Sequence, residues 1–322
     1  MKTFTARICV SLMAALLALP TGAVAQNYDI AINNGRVIDP ETGLDAIRHV
    51  GISKGTIAEI SQSPLDGARV IDAKGLIVSP GFIDIHSHSF ELTGQRMQAF
   101  DGVTTALEME SGVLPIDQWY KLQADEGRVI NCGACVSWSF ARIAAMVPEM
   151  PVVEPTAEWY QKAFRYTNWT TDVTTDKQQQ QILDALQQGL DHGAIGIGVN
   201  SGYVPGSGGK ELTAVWSLAA ANNVPVSTHI REWSNVDPLS SVEGVSTIIG
   251  IATATGARTN VCHINSSSLR DAKMTVVALK RARADLLLID GNPLDDITIL
   301  LDHEERLDLI MKGGVVYKNT IN

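Results

Sequence analysis

Four histidines stand at the ends of apolar runs, and their types and spacing suit divalent-metal chemistry. His86 and His88 are two apart in Gly81-Phe82-Ile83-Asp84-Ile85-His86-Ser87-His88. Phe82, Ile83 and Ile85 read as a buried strand, and period-two alternation puts both imidazoles on one side of its carboxyl end. Two neutral imidazoles on one face can chelate a divalent ion. A lone His-x-His pair is usually incidental; this one follows a Pro80-Gly81 turn and an apolar strand. His229 ends Val224-Pro225-Val226-Ser227-Thr228-His229, and His263 ends Thr259-Asn260-Val261-Cys262-His263. Either alone would more often be a core or surface residue. Both stand at strand ends in a chain with only seven histidines, which chance does not readily supply. His49, His192 and His303 lack that placement and read as surface residues.

A pair of metal ions also needs an anionic bridge. Thr104-Thr105-Ala106-Leu107-Glu108-Met109-Glu110-Ser111-Gly112 carries two carboxylates at the end of an otherwise buried strand. Charges there are costly unless paired or bound to metal. Alternation sends Glu108 and Glu110 to the same face, so spacing does not choose between them, and a solvated loop start is expected for one. Phosphate-cradling glycine loops and Ser-His-Asp patterns are not evident. Gly206-Ser207-Gly208-Gly209 lacks P-loop spacing and reads as a flexible loop at the mouth of the site.

The elements that must position these side chains fall into three stretches. Residues 28 to 80 read as short strands separated by Gly and Asn turns, with Asn33-Asn34-Gly35-Arg36 as one such turn. From residue 81, apolar runs alternate with helix-compatible segments such as Gln178–Leu190 and Leu212–Ala221. The candidate strands are Phe82–His86, Thr104–Met109, Val129–Val136, Ala194–Val199, Pro225–His229 and Asn260–Ile264. Repeated βα units imply a parallel sheet or barrel, with the histidines at its carboxyl mouth. After residue 283 the pattern returns to β. Six strands fall short of the eight that a closed βα barrel requires, and the stretch from Ile264 to Ala284 is too short for two more units.

With 322 residues, 45 % of them hydrophobic and 19 % charged, the composition is that of a globular protein and excludes disorder and coiled coil. A formal net charge of −10 argues against a nucleic-acid partner. Residues 1–25 read as a secretory signal, with Lys2 and Arg7 before the apolar Cys9–Leu19 and Ala23-Val24-Ala25 as the cleavage site. The expected location is periplasmic or secreted, with no stable membrane span after cleavage. Four cysteines are too few for a disulfide scaffold. Cys132-x-x-Cys135 reads as two buried residues of one strand in preference to a disulfide.

These motifs resemble the amidohydrolase superfamily, and most of all its D-aminoacylase (N-acyl-D-amino-acid deacylase) branch. The resemblance runs in order through Asp29–Pro40, Gly81–His88, Gly102-Val103-Thr104-Thr105, Gly193–Gly198, Thr228–Glu232, Cys262-His263-Ile264, Arg283–Pro293 and Met311–Tyr317. It implies an α/β fold: an incomplete (β/α)8 TIM-like barrel over residues 81–283, with a small β-sandwich built from residues 26–80 and 284–322. His86 and His88 would hold a first metal, and His229 and His263 a second, as one or two divalent ions with zinc foremost. Ser111 falls where the branch carries a bridging cysteine, so Glu108 or Glu110 would take that place. Gly193–Val199 contains no lysine, which disfavours the carboxylated-lysine bridge of other relatives. Arg231 resembles the arginine that grips a substrate carboxylate, with Tyr203 in support. The family's catalytic aspartate, usually in a Gly-Ser-Asp context, has no counterpart between His263 and Ala284. Asp271 and Glu232 are the carboxylates left to weigh for proton transfer.

The resemblance implies hydrolysis of a linear amide, an N-acyl-amino acid, by a metal-activated water. Two other readings stay open: a truncated relative that binds metal or ligand without efficient turnover, and a cyclic-amide hydrolase of the dihydroorotase or hydantoinase kind. A sheet with unclosed edges also leads us to expect a homo-oligomer or a poorly stable monomer.

Overall fold

The computed structural model describes residues 28–88, 91–282, 285–289, 307–312 and 315–319, the last three as backbone strands. Residues 1–27, which include the expected signal segment and Cys9, His303 and most of the tail beyond residue 283 lie outside the described residues. The chain divides into two compact units, one ending at Pro80 and the other beginning at Gly81.

The first unit holds β1 (Tyr28–Asp39), β2 (Leu44–Ser53), β3 (Thr56–Ser61), β4 (Gly67–Asp72) and β5 (Ile77–Val78). They form one sheet in the order β3-β2-β1-β4, with β5 also paired to β1. The turn expected at Asn33–Arg36 is instead a bulge: β1 continues through it, with its register to β2 shifting between Ile32 and Gly35. Asn34 takes the left-handed conformation there, with φ of 65°, which asparagine tolerates. His49, expected at the surface, is buried. The bulge frees a backbone donor, and His49 Nδ1 accepts the Asn34 N–H at 3.2 Å.

The second unit alternates strands and helices: β6 (Phe82–Asp84), α1 (Leu92–Phe100), β7 (Val103–Val113), α2 (Ile116–Glu126), β8 (Asn131–Ser137), α3 (Trp138–Met146), α4 (Ala157–Ala163) and α5 (Asn168–Thr171). It continues with α6 (Asp176–Asp191), β9 (Ile197–Asn200), α7 (Gly209–Ala221), β10 (Val226–His229), α8 (Ser241–Thr255), β11 (Thr259–Val261), α9 (Ile264–Ser268) and α10 (Ala272–Ala282). α6 shows why such segments become helices. Thr175 and Gln178 form a reciprocal capping box, and Ile182, Leu186 and Gly189 bury one stripe against the sheet side.

β6 to β11 form one six-stranded parallel sheet whose spatial order is their chain order. It curls as part of a TIM-like barrel. Trp138, Ile143, Ile182, Leu186, Ile197 and Trp216 fill the core beneath its helices. The edge strand departs from expectation. Phe82 and Ile83 are 64 % and 63 % exposed, because β6 has a partner strand on one side only among the described residues. Cys132 and Cys135 both lie on β8 as free thiols; Cys135 is buried and Cys132 only partly so.

β12 (Asp285–Ile289), β13 (Leu307–Lys312) and β14 (Val315–Asn319) make an antiparallel sheet of their own. No helix among the described residues is long and apolar enough to cross a membrane.

Candidate metal centre

β6 ends at Asp84, two residues before the first histidine of the pair, so His86 and His88 stand on the chain that leaves the strand and not within it. Asp84 Oδ1 accepts the His86 N–H at 3.0 Å, and Ser87 N–H donates to Leu107 O at 3.1 Å. These bonds keep the segment beside β7 and aim both rings inward. The centroids of His86 and His88 lie 4.8 Å apart, those of His86 and His263 5.0 Å, and those of His229 and His263 4.5 Å. All four strand-end imidazoles therefore share one site.

His263 also lies past its strand, which stops at Val261. Its backbone is left-handed, with φ of 32°, a conformation uncommon outside glycine that histidine, like asparagine, enters more readily than most residues. His263 Nδ1 is 2.7 Å from Ser267 Oγ, four residues on, a contact created by the first turn of α9. Sequence reading passed over Ser267, because a strand running to Ile264 would have carried it away.

Both carboxylates are buried, contrary to the expectation that one would start a solvated loop. Their surroundings differ. Glu110 Oε1 is 2.9 Å from His229 Nδ1 and 3.1 Å from His263 Nε2. Its Oε2 is 3.3 Å from His88 Nε2 and 3.8 Å from His86 Nε2. Glu108 reaches a single imidazole, His88 Nδ1 at 2.7 Å, and accepts the N–H groups of Ser111 and Gly112 at 3.2 and 3.3 Å. Burial alone would push Glu110 upward in pKa, but hydrogen bonds with His229 and His88 more than offset it and hold the carboxyl well below its usual range. Glu108 is raised, chiefly by burial. Its hydrogen bond, with that of Glu110, lifts His88 to about 10. Burial lowers His86.

The donor set fits a divalent ion. His86, His88 and Glu110 form one group of potential ligands and Glu110, His229 and His263 another, the donor atoms of each lying within 4.8 Å of one another. His86 Nδ1 and His229 Nε2 are buried with no hydrogen-bond partner among the described residues, which buried polar groups rarely are. Imidazole with carboxylate is the ligand chemistry of zinc and neighbouring divalent metals.

The mouth is built by two loops. Ser201 Oγ donates to His229 O at 2.7 Å, and a Cβ placed on Gly202 would lie 2.5 Å from His229 Cδ2. Tyr203 follows, its ring 5.0 Å from that of His229, with its hydroxyl pKa raised first by burial and then by Glu110. The expected mouth glycines are partly ordered: Ser207 is buried and Gly208 caps α7. After β10, Arg231 and Glu232 line a cavity of about 620 Å³ with Trp233. Arg231 Nε and Nη2 are buried without a partner among the described residues. Trp233, which no motif announced, stacks edge-on to His229 at 5.3 Å. Asp271 instead accepts Asn235 Nδ2 at 2.9 Å. His192, at the end of α6, is exposed as expected.

Candidate imidazole and carboxylate ligands thus gather at the carboxyl ends of a curled parallel sheet of the TIM-like kind. Residues 69–177 match the Amidohydrolase family. The dihydroorotase of Streptococcus pneumoniae is 39 % identical over 105 residues, 30 % of this chain and 25 % of that protein. The N-acyl-D-glutamate deacylase from Bordetella bronchiseptica, solved with zinc and a phosphonate mimic of the tetrahedral intermediate, superposes with a TM-score of 0.63 at 22 % identity, covering 82 % of this chain and 61 % of that one. D-aminoacylase, studied for its binuclear metal centre, gives 0.61 at 19 % identity over 79 % and 56 % of the two chains. Residues 69–177 thus carry the amidohydrolase signature, and the fold of the chain is similar to that of D-aminoacylase and N-acyl-D-glutamate deacylase. The chain spans about a quarter of the length of the curated relatives it matches.

Proposed function

We propose that the protein is a metal-dependent hydrolase of linear amides, acting on N-acyl-amino acids. The observation that carries this reading is Glu110, whose two oxygens belong to both groups of potential ligands. His86 and His88 would hold one ion, His229 and His263 a second, with Glu110 as the bridge and zinc as the metal. The chemistry such ions supply is polarisation of an amide carbonyl and acidification of a water. Glu108 orients His88 and raises its basicity as a ligand, as carboxylate–histidine pairs do. Arg231, whose Nε and Nη2 are buried and unpartnered among the described residues, binds the substrate carboxylate by a bidentate pair, and Tyr203 flanks it. Glu232, beside Arg231 in the cavity lining, is the carboxylate that moves a proton toward the leaving nitrogen. Residues 1–25 direct export and are removed, residues 26–80 and 284–322 form one β-domain, and the unclosed sheet edges are covered by self-association.

Purified protein with quantified metal is tested on N-acyl-amino acids of both hands, with allantoin and dihydroorotate in parallel. Hydrolysis of the linear amides that disappears on chelation supports the reading. Hydrolysis confined to the cyclic substrates, the chemistry of the dihydroorotase relative, overturns it. Metal below about 0.2 ion per chain after reconstitution overturns the metal site.

A further inference from the structure

The segment that follows β10 has a composition unlike its surroundings. Trp233, Val236 and Leu239 are 52 %, 72 % and 63 % exposed, and with Pro205 and Pro238 they line the same cavity of about 620 Å³ as Arg231. Large apolar side chains exposed together around a concavity mark a binding surface. The cavity adjoins the metal centre directly, since the Trp233 ring lies 5.3 Å from His229 and 6.2 Å from Tyr203. It therefore offers one cation unpaired among the described residues, one aromatic wall and an apolar rim within reach of the candidate metal centre.

We propose that Trp233, Val236 and Leu239 are specificity-determining residues that select amides carrying a bulky apolar substituent alongside their carboxylate. The inference rests on the amide-hydrolase reading and names its substrate class. A small polar ring such as a cyclic ureide would leave these side chains in water, so it gains nothing from them. An alkyl or aromatic group laid on the wall removes both surfaces from water, and affinity rises about fourfold for each methylene buried. The apolar group can be the acyl chain or the amino-acid side chain; the chemistry of the wall is the same for both.

Trp233 also supplies the measurement. The chain has six tryptophans, and Trp119, Trp138, Trp159, Trp169 and Trp216 are all buried. Acrylamide quenching of fluorescence therefore reports mainly on Trp233. The full chain is titrated with N-octanoylglycine, N-acetyl-leucine, N-acetylglycine and allantoin. The expected result is protection of the exposed indole by the first or second ligand at concentrations at least tenfold below those needed for N-acetylglycine, with none from allantoin. Whichever of the first two protects identifies the substituent that the wall holds. Val236→Asp and Leu239→Asp lie at exposed positions and should erase the advantage without changing metal content. Equal binding of N-octanoylglycine, N-acetyl-leucine and N-acetylglycine overturns the inference, as does an advantage that survives both substitutions. Protection without hydrolysis by the metal-loaded protein would leave the wall standing and overturn the hydrolase reading. Hydrolysis indifferent to substituent size would do the reverse.

Discussion

His86 and His263 leave opposite edges of a six-stranded sheet, yet their ring centroids are 5.0 Å apart. Five interstrand steps of 4.8 Å would separate those edges by about 24 Å in a flat sheet. Curling of the sheet removes that distance at the carboxyl end, so six strands suffice to surround a site that eight strands enclose in a full barrel. The buried carboxylate of Glu110 sits where the rings converge.

That position separates Glu110 from Glu108. Glu110→Gln is expected to release metal under dialysis that the unaltered protein withstands. Glu108→Gln removes only the partner of His88 and should weaken metal binding by about 10- to 100-fold. Metal analysis after graded chelation checks this; a greater loss from Glu108→Gln would exchange the two roles.

Gly202, in the mouth loop, is packed against His229. A Cβ there would meet His229 Cδ2 at 2.5 Å and Ile230 O at 2.8 Å, the latter a backbone atom that cannot step aside. Gly202→Ala should push His229 from its place and lower metal affinity while leaving the global melt nearly unchanged. Calorimetric titration with zinc, alongside circular dichroism, measures both.

Arg142 and Glu211 form an ion pair, and both are buried. Glu211 also accepts Trp138 Nε1 at 3.0 Å and Thr174 Oγ1 at 3.0 Å, while Arg142 Nε donates to Trp169 O at 2.6 Å. Removing one member strands a charge. Glu211→Ala should cost about 3–5 kcal/mol in urea unfolding. Replacing both residues by apolar ones of similar volume should cost less than the single change.

The thiol of Cys135 sets an alkaline limit. Burial, reinforced by Glu108 and Cys262, pushes its pKa above the ordinary thiol range. The folded state then holds this proton more tightly than the unfolded state. The resulting stability is complete below the unfolded thiol pKa of about 8.5 and is lost as pH rises above it. Denaturation midpoints should fall above about pH 9 less steeply in Cys135→Ala than in the parent. Alkylation of Cys135 in the native protein should stay slow across the same range.

Proton transfer is tested by two conservative replacements. Glu232 lines the cavity with Arg231, whereas Asp271 is engaged by Asn235. Glu232→Gln should lower kcat by about 10²- to 10⁴-fold with metal retained, and Asp271→Asn should lower it little. The opposite order would move the role to Asp271.

Which residues could meet was legible in the local pattern of the chain. Apolar runs ending in His86, His88, His229 and His263, alternating with helical stretches, imply a parallel sheet with imidazoles at one end, because strand period and helix period are local properties of the chain. The same local rules read Phe82 and Ile83 as buried and treated Glu108 and Glu110 alike. Alternation knows only the two faces of a strand; it does not know whether a strand lies at an edge or how far the sheet bends. His49 shows the same limit, since its burial follows from a bulge in β1 that its own neighbours in sequence do not signal. Tertiary structure decided that Glu110 and not Glu108 touches both pairs of histidines. It also set Trp233 beside His229, and turned Ser267 onto His263. Each depends on curvature and on backbone turns past the strand ends, which arise from packing across the whole sheet.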